Sequence, residues 1–348
     1  MTPSSRRTGK SLRGLVGTLA AALVLSACAS APGSKAESGS DSGKGVTVAG
    51  VFCVCFANAY VAWKNGYFED EGVKIDEFVM TKGGSDTFAA VAGGDAELGL
   101  SGLDAVMRGI ETGIDIRSLA TVSPEFYALS VGNQAAGEIQ SPADLEGRKV
   151  SVSKIGSASW AFLKLLLEEE GLSEEDVEVV QLGGIDTTMA GLKRGTVDAA
   201  VTWEPGTSQG EAEDFAQIVV NALDPADHEA IYGSDASISM TLAATESFIG
   251  NSPETVSGAV RALDKANAWI ASHSAEEIAD VIGPMSEGLD RELLVASIED
   301  TVATLPEKVD ASEAAYQDSA ERLKDAGIVK SIPPMDEVFD CEIAECVE

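Results

Sequence analysis

The strongest constraint on this chain is an internal repeat. Gly83-Gly84-Ser85-Asp86-Thr87 leads into an apolar stretch and Gly94; one hundred residues later Gly183-Gly184-Ile185-Asp186-Thr187 leads into 188–192 and Gly195. Ala90 and Ala190 also coincide, and after a one-residue insertion Gly94, Glu97, Leu100 and Ser101 face Gly195, Asp198, Val201 and Thr202. In each copy the glycine pair permits a tight turn, the aspartate suits a helix N-cap, and the later glycine suits a helix C-cap. A short apolar strand follows, 96–100 in one copy and 197–201 in the other. Strand, turn, helix and strand in this order form a βα unit with a parallel sheet. Two such units predict an α/β protein with two similar lobes.

The flanking sequence agrees. Residues 46–52, 73–79, 128–131, 149–152 and 177–182 read as strands, and 58–66 and 159–170 as helices, the latter closed by Gly171. Beyond Pro253 the pattern is helical, over 256–273, 275–282, 291–305 and 311–326.

The first residues read as an address. Arg6, Arg7, Lys10 and Arg13 precede an apolar run from Leu15 to Leu25. A bilayer span needs roughly 20 apolar residues, so this run fits a signal peptide over 1–27 instead. Leu25-Ser26-Ala27-Cys28 resembles a bacterial lipobox, which makes Cys28 the acylated first residue of the mature chain. An ordinary secretory signal with an incidental cysteine is the alternative. Residues 28–45, rich in Ser, Gly and Ala, read as a flexible tether spanning on the order of 20–25 Å.

Charge narrows the function classes. The chain carries 57 acidic and 24 basic residues for a net charge of −33, and loss of the four leader cations takes it to −37. Such an excess repels phosphate backbones and offers no polybasic patch, so neither nucleic acid nor an anionic membrane surface is an expected partner. Two histidines leave little for a metal site or a catalytic triad. No metal, cofactor or catalytic residue is expected.

In open α/β sheets, ligands lie beyond the carboxyl ends of the strands, where helix N-termini point. This rule selects Phe52, Asn58, Ser85, Asp86, Ser101, Asp104, Ser157, Ser159, Trp160, Asp186, Thr187, Trp203 and Glu204. Helix N-termini favour an anion; the carboxylates favour a neutral or cationic nitrogenous solute. Asp86, Asp104, Asp186, Ser157 and Ser159 read equally as helix caps, Trp160 as core, and the Trp203-Glu204 pair as a strand end.

Gly66-Tyr67-Phe68-Glu69-Asp70-Glu71-Gly72-Val73, the two Gly-Gly-x-Asp turns, 144–150 and Trp203-Glu204-Pro205 together resemble the substrate-binding proteins of ABC importers in the nitrate/sulfonate/taurine and thiamine-precursor group. The resemblance implies a two-lobed periplasmic-binding-protein type II fold with a ligand cleft between the lobes. One lobe is then 46–125, the second 126–230, and 231–348 returns to complete the first. The implied protein is a monomeric, extracytoplasmic lipoprotein that delivers a small solute to a permease and its ATPase subunits. A sulfonate-like solute is favoured, with a pyrimidine-type vitamin precursor next. A pyrimidine-synthesising enzyme of the same fold is the distant alternative.

Four cysteines remain after Cys28: Cys53, Cys55, Cys341 and Cys346. Cys53 and Cys55 project from one face of an extended segment and are not expected to pair with each other. The resemblance places the C-terminal region on the first lobe, so two disulfides tying the tail to the end of the first strand are expected. A four-thiolate metal site is the rival, although C-x-C with C-x4-C lacks the usual zinc spacing.

Overall fold

The structure, a computed structural model, describes residues 45–234, 236–286 and 289–347. The leader, Cys28 and the tether short of Gly45 lie outside the described residues. Among the described residues no helix is long and apolar enough to cross a membrane.

Among the described residues ten strands carry the fold. In chain order they are β1 (Val46–Gly50), β2 (Ile75–Met80), β3 (Leu98–Gly102), β4 (Ile116–Ser123) and β5 (Ala128–Gly132). Then follow β6 (Lys149–Val152), β7 (Glu178–Gln181), β8 (Ala199–Thr202), β9 (Ala216–Asn221) and β10 (Met240–Thr245). One sheet has the order β2-β1-β3-β10-β4 and the other β7-β6-β8-β5-β9. The orders are equivalent. In each, three parallel strands from the repeat meet one antiparallel strand, β10 or β5, which pairs on its far side with β4 or β9.

The repeat builds each lobe as its residues require. After β2 the chain turns at Gly83 into the helix Gly84–Gly93, and after β7 it enters the helix Ile185–Arg194. Both helices end at a left-handed glycine, Gly94 (φ 78°) and Gly195 (φ 66°), where an L side chain would be strained. The first helix lies so close to β3 that a Cβ on Gly99 would sit 2.4 Å from Val91 Cγ2, so that strand needs glycine there. The N-caps differ from expectation. Gly83 and Gly184 occupy those positions, and neither Asp86 nor Asp186 caps its helix.

The strands β4, β9 and β10 add to the seven segments read from sequence. β10 is buried almost throughout and runs antiparallel between β3 and β4. The chain passes from the first sheet to the second between β4 and β5 and returns ahead of β10. The later helices Pro253–Ile270 and Ala275–Ile282 pack on Ala57–Lys64 of the first lobe. The helix Arg291–Val302 touches both the turn Val54–Phe56 and the helix Gly206–Ala212, and so contacts both lobes.

The cysteines pair differently from expectation. Cys53 bonds Cys55 and Cys341 bonds Cys346, with Cα separations of 5.1 and 4.9 Å. The same-face argument assumed a strand through residue 55. β1 ends at Gly50, and Cys53 caps a 3-10 turn over Val54–Phe56 that folds Cys55 back toward it. The tail does lie on the first lobe, where Phe339 bridges to Ser118 of β4, but its two cysteines meet each other.

Candidate functional site

The carboxyl ends of the parallel strands in both lobes open on one cleft. Its outer part, about 710 Å³, is bounded by Phe52, Trp63, Phe78 and Lys82 of the first lobe and by Gly184, Asp186, Trp203 and Gln209 of the second. Pro284, Met285 and Leu289 close one side. A small inner cavity of about 20 Å³ lies between Gly83, Gly84 and Val51 on one wall and Ser153 and Trp203 on the other, with Tyr127 and Met240 also lining it. Val51 and Trp203 line both parts. The first Gly-Gly corner therefore lines the inner part, and Gly184 of the second corner lines the outer part.

The lobes are clasped around it. Lys154 Nζ lies 2.6 Å from both carboxylate oxygens of Asp86. Arg108 Nη2 donates to the Gly156 carbonyl at 2.6 Å and to Asp104 Oδ2 at 2.7 Å. The Val54 N–H donates to the Glu204 carbonyl at 3.4 Å.

Of the residues selected from sequence, Phe52, Asp186 and Trp203 line the cleft. Phe52 stacks on Tyr60, and Trp203 meets Tyr127 edge-on. Trp203 is 5% exposed, and its buried Nε1–H has no acceptor among the described residues. Asp86 lies in the inter-lobe ion pair with Lys154. Thr187 is exposed, and its hydroxyl donates to the carbonyls of Leu182 and Gly184 and so closes its own turn.

The others sit off the cleft. Asn58 is fully buried; its amide donates to the Val122 carbonyl and accepts from Ala59 N–H. Ser157 caps the helix Ala158–Glu169, and Ser159 Oγ accepts from Ser153 N–H. Both hydroxyls lie within 3.0 Å of Ser153 Oγ or of each other, and Ser153 is the member of this knot that lines the inner cavity. Trp160 stands outside, with Lys164 Nζ 4.8 Å from its ring centroid. Ser85 borders a flanking pocket of about 400 Å³ with Arg108 and Gly156, while Ser101 lies within β3, fully buried. Neither hydroxyl has a partner among the described residues.

Two of the carboxylates are interior. Asp104 is buried beside Arg108; burial raises its pKa and the guanidinium only partly opposes this. Glu204 is raised by burial too, against the Ser208 hydrogen bond. Asp186 is thus the carboxylate of the set that opens onto the cleft.

Sequence reasoning missed Val51, Trp63, Phe78, Tyr127, Ser153, Met240, Pro284, Met285, Ser286 and Leu289. Ser153 directly follows β6 and was within reach of the strand-end rule. Pro284, Met285, Ser286 and Leu289 lie far along the chain and carry no local signal.

A sequence model described as NMT1/THI5 like matches residues 54–277. A Bacillus subtilis (strain 168) protein named for binding aliphatic sulfonates is 27% identical over 246 residues, covering 69% of this chain and 70% of that protein. A formylaminopyrimidine-binding protein of Halalkalibacterium halodurans is 27% identical over 225 residues, covering 63% of each. The periplasmic aliphatic sulphonate-binding protein SsuA of Escherichia coli superposes with a TM-score of 0.65 at 17% identity, over 85% of this chain and 91% of that one. That likeness confirms the two-lobed periplasmic-binding-protein fold.

Proposed function

The chain belongs to the NMT1/THI5-like family, and on that premise we propose that it is the solute-binding protein of an ABC importer. It is lipid-anchored through Cys28, works outside the cytoplasm and hands its solute to a permease with ATPase subunits. One observation supports the reading: Gly83 and Gly84 of the first lobe line a small inner cavity, Gly184 of the second lines the adjoining outer space, and Val51 and Trp203 border both, at the carboxyl ends of two equivalent sheets. Turn amides and helix N-termini then approach a trapped molecule from opposite sides.

The solute is a small organic sulfonate or related oxyanion. The N-terminal turns of Gly84–Gly93 and Ile185–Arg194, the Trp203 N–H and the Lys82 ammonium supply donors or positive charge at the cleft. A pyrimidine-type solute is the second reading, favoured by the aromatic surfaces of Phe52, Trp63, Phe78 and Trp203 beside the Asp186 carboxylate. Turnover is not expected. His228 hydrogen-bonds the Ala222 carbonyl and His273 stacks on Trp269, and neither lines the cleft.

A thermal-shift screen with taurine, methanesulfonate, nitrate, bicarbonate and formylaminopyrimidine tests these readings, followed by calorimetry on any hit. A sulfonate that raises the melting temperature supports the first reading, and a pyrimidine that does so alone supports the second. If neither class shifts the melt, and intact cells lacking the protein take up both normally, the importer reading fails. Cys28→Ser should move the protein from the membrane fraction to the medium; unchanged fractionation refutes the anchor.

A further inference from the structure

The two parts of the cleft differ in size, and the difference decides where the body of a solute lies. The inner cavity, about 20 Å³, has room for roughly one water. The outer part, about 710 Å³, falls in the range of small-molecule pockets. With the lobes clasped, even a small organic solute therefore keeps its body in the outer part.

The first lobe walls that outer part with rings. Phe52, Trp63 and Phe78 line it, and Met80 beside them is 42% exposed. Phe52 and Trp63 are half-buried, whereas Tyr60 is fully buried and links the row. The Tyr60 ring centroid lies 5.9 Å from that of Phe52 and 5.5 Å from that of Phe78, and Phe78 lies 5.2 Å from Trp63. The Tyr60 hydroxyl donates to the Val51 carbonyl at 2.6 Å, which pins the row to the chain just past β1. Rings already packed in series lose little freedom on meeting a guest, so the wall is preorganised. The same wall carries cations. Lys64 Nζ stands 3.6 Å from the Trp63 ring centroid, and Lys82 lines the cleft, exposed and without an ion pair among the described residues. Asp186 lines the same space from the second lobe, with Ile185, Trp203 and Pro205 as apolar surface around it.

We propose that the cleft selects arylsulfonates, with the aromatic body against the row of Phe52, Phe78 and Trp63 and the anionic group directed to Lys82. A methyl or aminoethyl group covers at most one of these rings and leaves the others wet. A fused aromatic body covers several at once, and the gain from apolar burial grows with area. An alkyl chain buries comparable area but gives up rotational freedom and lacks the attraction between rings. The inference rests on the solute-binding reading above and narrows its first solute class.

Calorimetry on the full chain with naphthalene-2-sulfonate, 1-octanesulfonate, methanesulfonate and uncharged 2-naphthalenemethanol separates body from head. Naphthalene-2-sulfonate should bind one to one and at least about tenfold more tightly than each of the other three. Trp63→Leu should cut its advantage over 1-octanesulfonate by at least about threefold. Equal or tighter binding of either alkyl probe would overturn the aromatic preference and leave a sulfonate receptor standing. Equal binding of 2-naphthalenemethanol would overturn the anionic head, and an unchanged ratio in Trp63→Leu would overturn the ring wall. If none of the four binds while formylaminopyrimidine raises the melting temperature, the proposal fails and the importer reading survives; if formylaminopyrimidine fails as well, the proposal falls with its premise. The probe series needs no variant and holds even where Trp63→Leu fails to fold.

Discussion

Replacing Glu125 with alanine should loosen the hinge itself. This residue lies between β4 and β5, 5% exposed. Its Oε1 accepts from the N–H groups of Phe126 and Tyr127 at 3.0 and 3.3 Å and from Ser239 Oγ at 3.4 Å. Its Oε2 accepts from the Tyr232 hydroxyl at 2.6 Å. One carboxyl group therefore ties the outgoing crossover to the returning one. Truncation leaves several buried donors unpaired at about 1–3 kcal/mol each, partly relieved by relaxation, so a net cost of about 3–5 kcal/mol is expected. At ~2–4 °C per kcal/mol for a body this large, the melting temperature should fall by roughly 6–20 °C.

Glu125→Gln keeps the shape and one acceptor and should cost about 1–2 kcal/mol at neutral pH. The pH dependence has a definite sign. Burial raises the Glu125 pKa, with the Tyr232 hydrogen bond only partly opposing it, so the folded state holds its proton longer than the unfolded state. The stability this group contributes is full below the unfolded value of about 4.3 and declines as pH rises toward the folded value. The glutamine variant has no such decline, so its deficit should shrink as pH rises through that window. Calorimetric melts across pH provide the check. A Glu125→Ala loss of under about 1 kcal/mol, or a wild-type to glutamine gap independent of pH, would refute the reasoning.

Asp86→Ala removes the ion pair with Lys154, whose side chains are each more than a third exposed, so its effect should stay within about 1 kcal/mol. Small-angle scattering should show wild type opening in high salt and the variant open already; identical salt responses would count against a latch. Trp203→Phe keeps an aromatic ring, though a smaller one, and deletes the unpartnered N–H, so calorimetric affinity for the cleft solute should fall about tenfold. Unaltered affinity would remove that N–H from the site. Peptide mapping of the oxidised protein should recover Cys53–Cys55 and Cys341–Cys346 as separate bridged peptides; a crosslink between residues near 55 and the tail would contradict this pairing.

Much of the architecture was legible because its determinants are local. A Gly-Gly turn, a short helix and a glycine in the left-handed region are dictated within a dozen residues, and repetition of that pattern signalled two equivalent sheets. The helices after Pro253 were similarly visible from their 3.6-residue period.

What only the tertiary structure decided involves partners distant in sequence. β10 exists as a strand because β3 and β4 pair with it from more than a hundred residues upstream. Asp86 looked like a cap, yet its carboxylate meets Lys154 of the other lobe, whereas Gly83 takes the cap position. Ser157 and Ser159 looked like ligand hydroxyls, but the fold draws them to Ser153. Cys53 and Cys55 pair because the chain turns after Gly50, a bend no alternation rule could anticipate. Backbone preference acts over one helical turn and is written in neighbouring residues. A cleft wall is assembled by packing, and its composition depends on which distant surfaces the hydrophobic core brings together.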